Sequence, residues 1–418
     1  MLSSTPRLGL KYNRYQFTLL ILVNILVGGM AGLERTVVPI IGMEEFKISS
    51  DIMVFSFIIT FGVVKAVTNL VSGVLADIYS RKLILVIGWL VALPVPFMLG
   101  WGPSWNWILL SNVLLGISQG LTWSMTLNMK IDLVTPQERG LAMGLNEAAG
   151  YSAVGLTAML TGYLASVYGL RPQPFYIGIA YAVTGILTSA YLINDTGKYT
   201  RSELVNTRSK TSGKSAKRSL GWIFRQVSYK NKKLQAVTQA GLVNNMNDGM
   251  SWGVFPIFFM KMGVDLEEIG WIRAVYPLIW GIAQVVTGPL SDKIGRKQLI
   301  VPGMFIQAGG LFLITGQLFT PLTSGLLGSA LLGIGTAMVY PTLMAVVSDS
   351  VHPARRASSL GVYRFWRDMG YAVGALFAGI TANMLGFDWT IRLTAIITAL
   401  SGIYVWVHLK ENKEQTTA

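Results

Sequence analysis

Twelve long, mostly apolar stretches constrain this chain more than any other feature. They run at roughly 16–40, 51–76, 83–101, 106–131, 141–167, 174–193, 235–260, 268–290, 299–318, 322–347, 358–384 and 389–408. A bilayer core is about 30 Å thick, and about 20 helical residues cross it. Composition agrees: 52% of the 418 residues are hydrophobic and 13% charged, where a soluble domain carries about 25% charged residues. The expected fold is an all-α membrane protein with twelve transmembrane helices. Arg7, Lys11 and Arg14 precede the first stretch, as in a signal peptide. That stretch is long for such a leader and has no clear A-x-A cleavage site, so it reads as a retained first span.

The polar interruptions organise the rest. Six stretches precede and six follow a basic segment, 195–233, with eleven Lys and Arg (Lys198, Arg201, Arg208, Lys210, Lys214, Lys217, Arg218, Arg225, Lys230, Lys232 and Lys233) against Asp195 and Glu203. It reads as a solvated linker between an N-terminal bundle, 1–194, and a C-terminal bundle, 234–418. Leu220–Lys230 mixes apolar and basic residues, as does a short helix lying on a membrane surface; a plain tether is the alternative. Nucleic-acid binding is not expected, since basic loops are routine in membrane proteins. Short loops on one side carry Arg81-Lys82, Arg139, Lys293–Lys297 and Arg355-Arg356, and the other side is far less basic. The positive-inside rule places the basic side, and both termini, in the cytoplasm. A bacterial inner membrane is the expected location.

Several chemistries are excluded. The chain has no Cys, hence no disulfide framework, iron–sulfur ligation or thiol catalysis. Two histidines, His352 and His408, leave little for a metal site. No G-x-x-x-x-G-K-[ST] loop is present, so ATP hydrolysis is not indicated. No cofactor, metal or enzymatic site is expected.

The two halves repeat. Gly73-Val-Leu-Ala-Asp77-Ile-Tyr-Ser-Arg81-Lys82 recurs as Gly288-Pro-Leu-Ser-Asp292-Lys-Ile-Gly-Arg296-Lys297 at an offset of 215. At an offset of 217, Asp132 aligns with Asp349, Arg139 with Arg356, Gly144 with Gly361 and Gly162 with Gly379. Parallel repeats about an axis along the membrane normal are one transporter architecture.

The duplicated G-x-L-a-D-r-x-G-r-k loop, between spans 2 and 3 and again between 8 and 9, resembles the signature of the major facilitator superfamily. The resemblance covers nearly the whole chain. The first copy departs from the signature at Ile78 and Ser80. It implies two pseudo-symmetric six-helix bundles and a secondary transporter working by alternating access. It also implies a cytoplasmic latch of Gly73, Asp77, Arg81, Asp132 and Arg139, with Gly288, Asp292, Arg296, Asp349 and Arg356. The physics fits: a carboxylate at a helix end accepts N–H groups of a neighbouring helix start and pairs with Arg. The plainer alternative is a positive-inside anchor.

Ionisable groups inside spans cost about 2.5–3.5 kcal/mol or more each at a helix centre, and mark function or a partner. The candidates for a substrate and proton pathway are Glu34 and Arg35 in span 1, Lys65 in span 2, Asn146, Glu147 and Tyr151 in span 5, and Arg364, Arg367 and Asp368 in span 11. Glu147 and Arg364 are pseudo-equivalent. Arg364 and Asp368 share a helix face. Asn244, Asn245 and Asp248 make span 7 too polar for lipid. The resemblance implies that spans 1, 4, 7 and 10 line a central cavity, which adds Asn128 and Tyr340. Lys130 and Asp132 read mainly as gate residues. A structural ion-pair network is the alternative for all of these.

The expectation is a monomeric, proton-coupled carrier in a lipid bilayer, with Glu34, Glu147, Asp248 and Asp368 as candidate proton carriers. The intramembrane bases favour a small organic solute of anionic or zwitterionic character. Span 5 lacks the Gly-Pro of the drug-antiporter branches. Export is placed slightly ahead of import. A substrate-driven uniporter or anion exchanger, or a proton-symporting uptake carrier, is the alternative.

Overall fold

The computed structural model describes residues 7–197, 199, 219–352 and 355–410, without the side chains of Gly73, Val74, Asp77, Pro136, Arg356 and Ala357. Lys198 and 200–218, most of the basic linker, lie outside the described residues. The helices are α1 Leu10–Gly32, α2 Val38–Glu44, α3 Asp51–Ile78, α4 Arg81–Ala92, α5 Pro94–Trp101, α6 Trp105–Leu133, α7 Arg139–Tyr168, α8 Tyr176–Leu187, α9 Leu220–Arg225, α10 Lys232–Lys261, α11 Leu266–Ile294, α12 Arg296–Thr315, α13 Pro321–Asp349, α14 Arg356–Leu385 and α15 Phe387–His408.

Local sequence sets the ends. The Ser80 hydroxyl accepts the Leu83 N–H at the start of α4, and the Asn231 side chain accepts the Lys233 and Leu234 N–H groups at the start of α10. Asp265 does the same for Glu268 at the start of α11. Each cap satisfies N–H groups that a helix start leaves orphaned. Pro94 lacks an N–H and splits the third span into α4 and α5. The first span differs from expectation. The stretch 16–40 is not one helix: it breaks at 33–37, and Glu34 and Arg35 sit in that turn. Pro39 opens α2 just beyond.

Among the described residues, nine helical stretches are long and apolar enough to cross a membrane. Three further helices, α7, α10 and α14, are 30 residues each and fall outside that set. These carry Glu147, Asp248, Arg367 and Asp368. Their polar groups are turned inward: Glu147 is 4% exposed, Asp248 1% and Asp368 2%.

The helices form two halves that meet along α3 with α14 and α7 with α11. The loops at 79–80, 134–138, 295 and 350–352 share one face, termed the basic face, and those at 45–50, 169–172 and 262–265 the opposite one. At the opposite face the halves are in backbone contact. A methyl placed on Gly162 would lie 2.9 Å from the Gly270 Cα, and one on Gly379 would lie 2.7 Å from the Ile52 Cα. At mid-depth a methyl on Gly155 would meet the Ala274 carbonyl at 2.7 Å. Towards the basic face this stops: methyls on Gly144, Gly288 and Gly361 would meet nothing within 4 Å.

The segment Leu220–Lys230 is helical and packs on protein through one face, while Leu220 and Tyr229 stay exposed. Ile223 and Val227 are buried. Trp366 of α14 donates to the Ser228 hydroxyl at 2.8 Å, and Thr238 of α10 donates to the Val227 carbonyl at 3.2 Å.

Candidate functional site

Between the halves at mid-depth, ten side chains line one pocket: Lys65 and Asn69 of α3, Trp123 and Ser124 of α6, Glu147 and Tyr151 of α7, Tyr340 of α13, and Arg364, Arg367 and Asp368 of α14. Glu147 accepts from Trp123 Nε1 and Asn146 Nδ2, each at 3.0 Å, and from the Tyr340 hydroxyl at 3.4 Å. All three donors are neutral. Asn146 Oδ1 has no partner among the described residues, while its backbone carbonyl accepts from Asn24 Nδ2 at 2.6 Å. Arg367 donates to the Tyr151 hydroxyl at 2.7 Å, lies 3.3 Å from Asp368, and stacks over the Tyr340 ring at 4.0 Å. Tyr151 in turn stacks on Trp280 of α11, ring centroids 3.5 Å apart.

Two pairings that the ion-pair alternative would allow are not formed among the described residues. Asp368 does not pair with Arg364 one turn away; its oxygens accept from Arg367 and from Asn69 Nδ2, while Asn69 Oδ1 accepts from the Ser124 hydroxyl. Rotation of α14 against α3 decides this. Lys65 makes no ion pair among the described residues. Its ammonium lies 5.4, 5.5 and 5.2 Å from the ring centres of Phe61, Trp123 and Tyr371, a cation–π cage worth about 2 kcal/mol when desolvated.

A second polar cluster lies nearer the opposite face. Arg35 donates to Asp248 at 2.5 and 3.3 Å, joining the N-terminal half to α10. Its guanidinium lies 4.1 Å from the Trp252 ring. Glu34 does not pair with Arg35: Oε1 accepts from Asn112 at 3.1 Å, and Oε2 is buried without a partner among the described residues. Arg273 of α11 is also there, 1% exposed, with Nε and Nη1 unpartnered among the described residues. The sequence reading passed over Arg273, although a charge inside an apolar span is the same signal that singled out Lys65. It also passed over Asn69, Ser124 and Asn112, which small polar residues in spans do not advertise.

Three further residues expected on the pathway, Asn244, Asn245 and Asn128, belong to neither cluster. Asn244 and Asn245 of α10 are buried, and Asn244 Oδ1 and both polar atoms of Asn245 lack partners among the described residues; the Asn245 Cβ instead lies against Gly370 of α14. Asn128 contributes its backbone carbonyl, which accepts from Arg81 at 3.5 Å. Lys130, read with Asp132 as a gate residue, lies on α6. It is fully buried, donating to the Leu20 carbonyl of α1 at 3.3 Å.

At the basic face, Arg81 pairs with Asp132, and Arg296 with Asp349 at 3.3 Å and Asp292 at 2.5 Å. The first Arg of each repeat thus reaches the end of α6 or α13 in its own half, by the pseudo-symmetry read from the sequence. Asp132 also accepts from Thr196 at 2.6 Å. The side chains of Asp77 and Arg356, with Gly73, lie outside the described residues. Gly288 sits in open space, and Arg139 opens α7. Near them, Asp195 accepts from Ser80 and from the Lys82 N–H. Its partial burial raises the carboxyl, and those hydrogen bonds outweigh that and hold it below its ordinary range.

A family profile described as Major Facilitator Superfamily matches residues 20–230 and 238–418. The chain belongs to the major facilitator superfamily. Among curated relatives it is 20% identical over 353 residues to "Uncharacterized MFS-type transporter MJ1560" of Methanocaldococcus jannaschii, covering 84% of this chain and 87% of that one. It is 26% identical over 368 residues to "Multidrug resistance protein MdtG" of Escherichia coli O1:K1 / APEC, covering 85% and 84%. Among solved structures, a POT family transporter in complex with 5-aminolevulinic acid superposes with a TM-score of 0.74 at 12% identity, over 94% of this chain and 95% of that one. A bacterial homolog to human lysosomal transporter Spinster, titled inward-facing and unoccupied, gives 0.69 at 15% over 95% of each. The fold is therefore the all-α one of the superfamily, with two pseudo-symmetric six-helix bundles, and the protein is an integral membrane transporter.

Proposed function

We propose that this transporter works by alternating access, couples to protons through Glu147, and moves a small organic solute through the pocket that Glu147 shares with Arg367 and Asp368. One observation carries the reading. Glu147 is a buried carboxylate held by three neutral donors, whereas Asp248 and Asp368 each have an arginine. Of the carboxylates that line the pocket, Glu147 is the one with no arginine at hydrogen-bond distance among the described residues, and it is the proposed proton carrier. Glu34 also lacks a cation at ion-pair distance but lies in the turn near the opposite face, and is the second candidate.

The bundles 1–194 and 234–418 are the rocking bodies, joined by the segment 195–233. The basic face is cytoplasmic, with both termini, in a bacterial inner membrane, and the carrier acts as a monomer. The packed glycines at the opposite face and the open ones at the basic face support an inward-facing state. The residues of the duplicated loop form a latch when the basic face closes.

Outward movement fits kinship with proteins named for multidrug resistance. Lys65 and Arg364, neither with an ion pair among the described residues, favour a second reading: symport of an anion with a proton. The test is reconstitution of E147Q in proteoliposomes, after an uptake and counterflow screen over sugars, organic acids, amino acids and drugs. E147Q is expected to keep counterflow and lose movement driven by a pH gradient. Full gradient-driven transport by E147Q overturns the proposal.

A further inference from the structure

We infer that Lys65 and Arg364 form the anion-holding end of the central pocket, and that its solute is a singly charged organic anion with a flat apolar body. This rests on reading the pocket as the transport site.

The argument starts from charge. The pocket holds Lys65, Arg364 and Arg367 against Glu147 and Asp368, one more cation than carboxylate. Both carboxylates are occupied from within: Asp368 by Asn69 and Arg367, and Glu147 by Trp123, Asn146 and Tyr340. Arg367 spends its fork on Tyr151 and Asp368. What remains is an ammonium and a guanidinium, without ion pairs among the described residues, on the two helices that face each other across the halves. A buried cation without a counter-charge is costly, and one monovalent anion between them cancels the surplus.

The walls set the rest of the ligand. Trp123 and Tyr340 line the same pocket, and Trp123 and Tyr371 flank the Lys65 ammonium. Ring faces favour a planar apolar body beside the charged end. An organic cation meets the reverse: both carboxylates are already bonded, and three positive charges repel it. Protonating Glu147 adds a further positive charge to the pocket, so proton and anion each strengthen the binding of the other.

The experiment uses the purified full-length protein in detergent and three matched probes: benzoate, benzylammonium and benzyl alcohol. Benzoate at millimolar concentration is expected to raise the thermal unfolding midpoint, while the other two leave it in place. K65Q and R364Q should each weaken the benzoate response by about tenfold or more, as loss of one partner of a buried charge pair does, and K65R should keep most of it. Should K65Q fail to fold, R364Q, which changes a half-buried residue at the pocket wall, reads the same effect. The inference is overturned if benzoate gives no shift, if benzylammonium shifts the midpoint as much, or if R364Q responds as the wild type does. Binding needs no turnover, so an unaltered E147Q in the gradient assay would remove the proton coupling and leave this result standing.

Discussion

Arg35 and Asp248 bind one another through two hydrogen bonds, 2.5 and 3.3 Å long, across the seam between the two halves. Both are buried, at 4% and 1% exposure. Breaking such a pair from one side strands a charge and costs about 3–5 kcal/mol, whereas removing both partners costs less than the sum. R35Q and D248N should each lower the unfolding midpoint in detergent markedly, and the double variant should recover part of the loss. Additive losses in the double variant would show that the two side chains are not energetically paired.

The opposite face can be tested by locking it. Asn383 Nδ2 lies 3.5 Å from the Ser50 hydroxyl, and Asn383 Oδ1 accepts the Asp51 N–H at 3.0 Å. The chain has no Cys of its own. The S50C and N383C pair should form a disulfide on mild oxidation that stops transport, with activity returning on reduction. Full transport by the oxidised protein would mean that this face need not part.

The glycines divide by state. Gly155 has the Ala274 carbonyl against it, while Gly144 and Gly361 face open space. G155L should therefore disturb the packing described here and lower the unfolding midpoint by the equivalent of about 1–3 kcal/mol of overpacking. G144L and G361L should fold with an unchanged midpoint. If the basic face closes in turn during transport, they should still slow it by filling the seam. Normal transport rates in both would count against closure at those positions.

Acid should loosen the start of α1. Glu138 accepts from the Thr135 N–H, the Leu10 N–H and the Thr135 hydroxyl, and the Thr135 N–H first, then that of Leu10, holds its carboxyl below the ordinary value of 4.5. A depressed value means the contribution is present above the ordinary range and is lost as pH falls through the depressed one. Hydrogen exchange at 9–13 should rise as pH drops below 4.5, after correction for intrinsic rates, and E138Q should show the raised exchange already at neutral pH. Protection in E138Q equal to that of the wild type would refute the link.

Much of the architecture was legible because membrane insertion writes itself in long apolar runs and in basic loops. That Arg81 corresponds to Arg296, and Asp132 to Asp349, was legible from the two repeats; that each Arg reaches the Asp of that second pair, beyond the carboxylate of its own loop, was not. The charged members of the pocket stood out because lipid tolerates no unexplained charge. Partner choice was hidden. Asp368 prefers Asn69 and Arg367 over Arg364, and Arg35 prefers a residue 213 positions away to its neighbour Glu34, since helix rotation and the approach of the halves decide both. The turn at 33–37 was missed because its apolar flanks continue the run on either side.

The three helices that are too polar to pass as ordinary spans, α7, α10 and α14, each have strongly apolar neighbours in the chain. Alone in the translocon such a segment is poorly favoured, since each centrally placed charge adds about 2.5–3.5 kcal/mol to its insertion. Biogenesis of this protein should then proceed by hairpins, each polar helix waiting at the ribosome exit side until its neighbour carries it into the bilayer.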